Sequence, residues 1–214
     1  AQTQRVFAED WQFCTGEVLE GAKWFPHLVE YGKASALGIV DGPDEDMEVM
    51  PAAFFAAINA AREEILIATP YFLPNPVLMA ALRLAAIRGV KVRILTPAVN
   101  NIAMVAWASQ TLYDPLLQVG CRIFESPPPF DHSKIFLVDG VWSFLGSTNW
   151  DPRSLRLNFE FNVAFYDRAL ATRLKEIFQE KRAISREVTR ASLEATPILQ
   201  RLRNGFARLF IPLL

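Results

Sequence analysis

Four residues of the 214-residue chain carry chemistry in their types and spacing: His132, Lys134, Ser147 and Asn149. His132 and Lys134 stand two apart in a run that reads as a strand, where alternate side chains share a face. Ser133 then points away. Burying an ammonium without a partner costs several kcal/mol, so an imidazole beside a lysine makes sense when both face an anion. Ser147 and Asn149 repeat the spacing and add neutral hydrogen-bond donors. Gly146 before them lets the backbone approach closely. One nucleophile or acid, one cation and two hydroxyl or amide donors make a phosphate pocket.

The flanking sequence predicts the elements that position these groups. Residues 133–138 and 141–145 read as short strands joined by Asp139-Gly140, a hairpin signal. Asp-Gly is favoured there for backbone reasons, which makes Asp139 a structural turn residue. Residues 159–166 alternate and predict another strand. Upstream come a strand over 64–69, a helix over 77–88 closed by Gly89, and a strand over 90–95. A helical stretch over about 101–119, broken or restarted by Pro115, leads to a strand over 121–124. Residues 36–40 predict a strand closed by the turn Asp41-Gly42-Pro43-Asp44, and Pro51 opens a helix to about residue 61. Residues 4–20 show helical spacing that stops at Gly16. Helices over 168–186 and 192–210 finish the chain. Strand and helix in alternation predict an α/β fold.

Composition narrows the class. The chain is 51% hydrophobic and 21% charged, a globular balance, with net charge -1. No global basic field announces a nucleic-acid partner, and none is expected. Cys14 and Cys121 lack metal spacing and read as reduced thiols. Two histidines without an HExxH pairing predict no zinc site, and no metal or cofactor is expected. No apolar run of about 18 residues predicts a transmembrane helix. The charged, Met-less start AQTQRVFAEDW is no signal peptide; residues 1–35 read as the tail of a missing N-terminal half. Residues 36–190 are expected to be the catalytic domain and 191–214 a basic amphipathic helix. In that helix Leu193, Ile198, Leu199, Leu202, Phe206, Leu209 and Phe210 fall near one face, with Arg201, Arg203 and Arg208 elsewhere. The stripe either lies in the interface of an anionic membrane or packs on the core. The loop Tyr71-Phe72-Leu73-Pro74 reads as exposed, a second candidate for lipid contact.

His132-x-Lys134-x4-Asp139 followed, after six residues, by Gly146-Ser147-x-Asn149 resembles the HKD motif of the phospholipase D superfamily. Six typed positions within 18 residues make the match specific. Ala8-Glu9-Asp10-Trp11, Thr69-Pro70-Tyr71-Phe72, Arg88-Gly89-Val90 and Asn149-x-Asp151-x-Arg153-Ser154 resemble the bacterial cardiolipin synthase branch, as does the Ile211-Pro212-Leu213-Leu214 end. The likeness covers almost the whole chain, aligned to the C-terminal half of a two-motif enzyme.

The resemblance implies a phospholipase D-like mixed β-sheet between helices. It also implies two-step phosphatidyl transfer: one HKD histidine forms a phosphohistidine, and the other protonates the leaving alcohol and deprotonates the acceptor. Lys134 and Asn149 then bind phosphate, Ser147 assists, and Glu160 orients the histidine. His132 is nucleophile or general acid/base, the second role being favoured for this half. Arg153 and Arg156 bind a lipid headgroup or pair with surface acids. His27 lacks a companion Lys and reads as structural. The second motif comes from the missing half or from a second copy as a homodimer. The sequence departs from the family at Asp131, where an apolar residue is usual, and at Pro97-Ala98-Val99-Asn100-Asn101.

The expected function is a cardiolipin synthase-like phosphatidyltransferase acting from phosphatidylglycerol on an alcohol acceptor. Its expected place is peripheral on the cytoplasmic side of the bacterial inner membrane. One alternative is a phosphodiesterase hydrolysing phospholipid or nucleic acid, which the near-neutral charge disfavours for nucleic acid. Another is a catalytically silent dimerisation or membrane-docking half.

Overall fold

Alternation within the strands decides the layering. The computed structural model describes residues 1–29, 31–42 and 48–214. Its strands are β1 (Ser35–Asp41), β2 (Glu64–Ala68), β3 (Lys91–Pro97), β4 (Arg122–Ser126), β5 (Ile135–Val138), β6 (Trp142–Gly146), β7 (Glu160–Tyr166) and β8 (Arg186–Val188). Among the described residues they form one eight-stranded sheet in the order β1-β7-β6-β5-β2-β3-β4-β8. β2, β3 and β4 are parallel neighbours. β5, β6 and β7 form an antiparallel meander, with β1 and β8 antiparallel at the edges.

Odd and even strand positions face different helices. Ile65, Ile67, Val92, Ile94, Ile123, Phe136 and Phe144 face one layer. There they meet α2 (Val49–Ala60) through Phe54 and Ile58, α3 (Pro76–Ile87) through Leu78 and Leu82, and α5 (Tyr113–Leu117) through Leu116. Leu66, Ala68, Leu95, Phe124, Ile135 and Leu137 face the other layer, α6 (Arg168–Ala183), through Leu174 and Phe178. The fold is therefore the expected α-β-α sandwich. A third cluster lies outside it, where Ala207 of α8 (Ile198–Arg208) packs with Leu73 and with Val105 and Ala108 of α4 (Ala103–Gln110).

Local chemistry sets most boundaries as read. α1 (Gln2–Thr15) stops on Gly16, at φ 75°. α3 starts with Pro76 behind an Asn75 side chain that accepts from Leu78 N–H. Asp139 and Gly140 take φ 52° and 60°, and the Asp139 carboxylate accepts from the N–H groups of Arg62, Glu63 and Glu64 at 2.8–2.9 Å. It pins the hairpin to the start of β2, so its role is architectural.

Four expectations are corrected. β5 begins at Ile135 rather than residue 133, because the neighbouring strand β2 ends at Ala68, opposite Ile135, and the Asp131 carboxylate takes the Ser133 N–H instead. His132 and Lys134 therefore sit just ahead of the strand. The stretch 101–119 divides at Thr111–Leu112, with Pro115 inside the first turn of α5. Residues 192–210 are not one helix: α7 (Arg190–Glu194) ends before Pro197, which starts α8. Residue 186, read as the end of a helix, instead opens β8, where Val188 pairs with Ile123 and Arg186 meets Glu125 at 2.5 Å. Pro43 and Asp44 of the predicted turn lie outside the described residues.

Candidate active site

The meander brings the motif to one end of the sheet. His132 and Lys134 precede β5, Ser147 and Asn149 follow β6, and Glu160 opens β7. Lys134 Nζ lies 3.1 Å from His132 Nε2 and 3.1 Å from the His132 carbonyl. An ammonium only donates, so Nε2 accepts and the imidazole proton belongs on Nδ1. Burial and the Lys134 charge hold the His132 imidazole below its ordinary range, against smaller opposing pulls from Asp131 and Glu160. Burial lowers Lys134 as well, while Glu160, Asp151 and Asp131 oppose that fall. The histidine is thus neutral at pH 7, with its free nitrogen under a cation.

Rings fix the imidazole. Tyr71 packs edge-on against His132 at 6.3 Å, and Phe130 lies 5.7 Å away on a tilt. The Tyr71 hydroxyl donates to Asn101 Oδ1 at 2.9 Å, and Asn100 Nδ2 donates to the Pro70 carbonyl at 2.8 Å. The atypical loop at 97–101 thereby holds the aromatic wall. The Tyr71 loop itself is not the exposed segment expected, since Phe72 and Leu73 are core residues. Behind the histidine, the Asp131 carboxylate turns to Lys181 Nζ at 2.6 Å and Ser133 Oγ at 2.6 Å. Burial pushes that carboxyl up, but the bonds from Lys181 and Ser133 outweigh it and hold it below the usual range. The departure from the family at 131 is absorbed by a clamp on the backbone that carries His132.

The other site residues are placed as follows. Ser147 Oγ accepts from Phe161 N–H at 3.0 Å and reaches the Phe161 carbonyl at 3.4 Å, tying the motif to β7. Asn162 grips Thr148 between them, through Thr148 N–H at 3.1 Å and Thr148 Oγ1 at 2.7 Å. Gly146 is required there, because a Cβ would strike the Asn162 side chain and fall 2.5 Å from the Phe161 carbonyl oxygen. Asn149 is buried; Nδ2 meets Ser154 Oγ at 3.1 Å, and Oδ1 has no hydrogen-bond partner among the described residues. Amide nitrogen and oxygen are interchangeable by a flip, and the flipped form lets Ser154 donate and puts an unpartnered N–H at the buried position of that second atom. Glu160 is buried and accepts from Asn158 Nδ2 at 3.3 Å; its influence on His132 is through charge. Arg156 pairs with Glu48 at 3.5 Å on the surface, and Arg153 is exposed.

Three contributors had no role in the sequence reading. Asp151 is buried beside Lys134, its carboxyl raised by burial against bonds from the Ser154 and Arg153 N–H groups. Its signal was its place in the Asn149-x-Asp151-x-Arg153-Ser154 run. Ser154, which supports Asn149, ends the same run, whereas Lys181 lies 50 residues from Asp131 on another element and has no local signature. Among the described residues no three His, Cys, Asp or Glu side chains converge as a metal site.

A sheet flanked by helices, with a histidine–lysine pair and an asparagine at one end, defines a phospholipase D-like domain. The fold agrees with solved structures. A phospholipase D family member, Nuc, from Salmonella typhimurium aligns over 73% of this chain and 99% of its own, with TM-score 0.64 and 23% identity. Phosphatidylserine synthase from Haemophilus influenzae aligns over 85% of this chain and 48% of its own, with TM-score 0.66 and 15% identity.

The chain belongs to the family described as cardiolipin synthase, PLD-like domain, which matches residues 54–182. It is 34% identical over 213 residues to a cardiolipin synthase of Geobacillus thermodenitrificans, covering 99% of this chain and 42% of that protein. It is 36% identical over 216 residues to cardiolipin synthase A of Pseudomonas entomophila, covering 99% of this chain and 44% of that protein. The chain thus spans less than half the length of these curated relatives.

Proposed function

We propose that the chain is the C-terminal half of a cardiolipin synthase-like phosphatidyltransferase. The observation that carries the reading is the pairing of a neutral His132 with Lys134 beneath it, inside a family of cardiolipin synthases. Residues 1–35 would be the connection from a first half, 36–190 the catalytic domain and 191–214 a C-terminal helical segment. A phosphodiester of phosphatidylglycerol sits with its negative oxygens on Lys134 and, once the buried Asn149 side chain turns toward it, on the Asn149 amide. Ser147, committed to the Phe161 backbone, supports the pocket from its rim. Asp151 and Glu160 keep Lys134 charged despite its burial.

The chemistry needs two histidines. In the first step one imidazole nitrogen attacks phosphorus, and the phosphorus–oxygen bond to glycerol breaks as the other histidine delivers a proton to that oxygen. In the second step the hydroxyl of an acceptor alcohol gives its proton back to that histidine. Its oxygen attacks phosphorus, and the bond to the first histidine breaks. His132, neutral and accepting at Nε2, suits the attack or the proton abstraction of the second step. In the acid/base role we assign it, it takes up a second proton before the first step and delivers that proton to the glycerol oxygen, with the nucleophile supplied by the first half. An exposed aromatic pair, Phe13 of α1 against Phe159 next to Glu160, supports a missing cover over this end. A second copy of the chain would supply the same histidine by twofold symmetry.

The protein is peripheral to the cytoplasmic face of a bacterial inner membrane in this reading. Among the described residues no helix is long and apolar enough to cross a membrane. The test is direct. The full-length protein with residues 1–214 as its second half, given phosphatidylglycerol, should yield cardiolipin and glycerol, and His132→Ala should abolish both. Phosphatidic acid as the main product would replace transfer with hydrolysis.

A further inference from the structure

The outward side of α8 is apolar along its whole length. Ile198, Leu199, Leu202, Phe206 and Leu209 are each at least 60% exposed, whereas Asn204 and Ala207 are buried against the domain. With about 100° per residue, the five fall within one arc of the helix. The helix is held to the domain by its small and polar side. Asn204 Nδ2 donates to Gln110 Oε1 at 2.7 Å, the Arg203 guanidinium lies 4.3 Å from the Trp107 ring centroid, and Ala207 joins the Leu73 cluster. This inverts the usual arrangement, in which an amphipathic helix turns its apolar stripe to the core.

Charge is arranged around that arc. Arg201 and Arg208 line one flank and Arg203 the other, and no Asp or Glu occurs from Ala195 to Leu214. Among the described residues no carboxylate pairs with Arg201 or Arg208. A convex apolar face rimmed by unpaired arginines matches an acyl boundary under anionic headgroups. Twofold pairing of two such faces would crowd arginines together with no carboxylate in the segment to offset them.

The position of the face is as informative as its chemistry. Ile211 and Leu214, just past α8, pack into the cluster that holds Leu73 and Tyr71. Tyr71 in turn walls His132. The geometry points to the outer face of α8 as a docking surface for an anionic bilayer, seated beside the phosphate pocket so that docking presents the pocket at headgroup depth. That last clause rests on the phospholipid reading of the pocket; the docking does not.

Vesicle co-sedimentation of the 214-residue chain tests it. The chain should pellet with phosphatidylglycerol/phosphatidylcholine vesicles, less with pure phosphatidylcholine, and less as salt rises. Leu202→Glu with Phe206→Glu, both solvent-facing and compatible with the fold, should weaken vesicle binding by about tenfold or more with unchanged circular dichroism and Tm. Arg201→Gln with Arg208→Gln should remove the preference for anionic vesicles. His132→Ala should bind vesicles as wild type; a wild-type full-length protein that binds vesicles but fails to transfer would sink the functional reading and spare this one. The docking inference is overturned if the double glutamate variant pellets like wild type. It is equally overturned if light scattering shows that the variant disrupts a dimer and vesicle binding is unaffected.

Discussion

Gly146→Ala is the sharpest test of how the motif is held. A Cβ on residue 146 would lie 2.5 Å from the Phe161 carbonyl oxygen and 2.6 Å from Asn162 Cα, and closer still to the Asn162 amide oxygen. Two of these atoms are backbone, so no rotamer change removes the clash; β6 must draw away from β7 by roughly 1 Å to reach ordinary contact. That movement strains the Ser147 N–H bond to the Phe161 carbonyl (3.2 Å) and both bonds between Asn162 and Thr148 (3.1 and 2.7 Å). At about 1 kcal/mol for each hydrogen bond lost, the cost is about 2–3 kcal/mol. For a domain of this size that corresponds to a fall in Tm of about 5–10 °C. Calorimetry against Gly205→Ala provides the control, since a Cβ at 205 meets nothing within 4 Å and a mid-helix glycine gains about 0.5–1 kcal/mol on replacement by alanine. Gly146→Ala within about 0.5 kcal/mol of wild type, the ordinary range for a harmless surface change, would show that β6 and β7 separate freely and that glycine is not needed for their approach.

Three further outcomes follow from the same geometry. Because burial and Lys134 both hold the His132 imidazole down, Lys134→Met should raise its titration midpoint. Protonation is the disfavoured state in the folded chain, so stability is lost as pH falls below the ordinary histidine value of about 6.5 and the variant loses less. NMR can read this directly, and a midpoint that stays or moves down contradicts the assignment. Lys181→Met should cost about 1–2 kcal/mol at pH 7 by removing a charged hydrogen bond to Asp131. The Asp131 carboxyl is held below its usual range, so its contribution is present above the usual value and disappears as pH falls through the lowered one; urea unfolding should show the two proteins converging in acid. Asp139→Ala removes an acceptor for three N–H groups and should cost about 3 kcal/mol without moving the His132 titration. A shifted titration would place Asp139 in the site after all.

The motif was legible because its spacing is a consequence of strand geometry and a tight turn. Asp139-Gly140 announced both the hairpin and its own architectural role, and the positive φ angles bear that out. The α-β-α layering was legible from apolar runs such as Ile65–Ala68 and Val92–Leu95, whose odd and even members now face different helix layers. Less visible were features decided by distant partners. β8 exists because Arg186 and Val188 find Glu125 and Ile123 across the chain, a pairing that three residues cannot advertise. β5 starts late because its neighbour β2 ends opposite Ile135. The Asp131–Lys181 clamp depends on where α6 crosses the sheet, so residue 131 read alone showed only a departure from the family.

The topology explains why one end of the sheet holds the chemistry. In an antiparallel meander the start of β5, the end of β6 and the start of β7 meet at the same end of the sheet. His132, Ser147 and Glu160 belong to these three points, while the Asp139 turn falls at the opposite end. The loop after β2 reaches the same end as His132, because β2 runs antiparallel to β5, and it delivers Tyr71 to the imidazole. That loop is also the floor on which the segment after α8 packs. A single junction therefore connects the pocket to the outward apolar face, so a change at Leu73 should disturb both, whereas a change at Leu202 should disturb only the face.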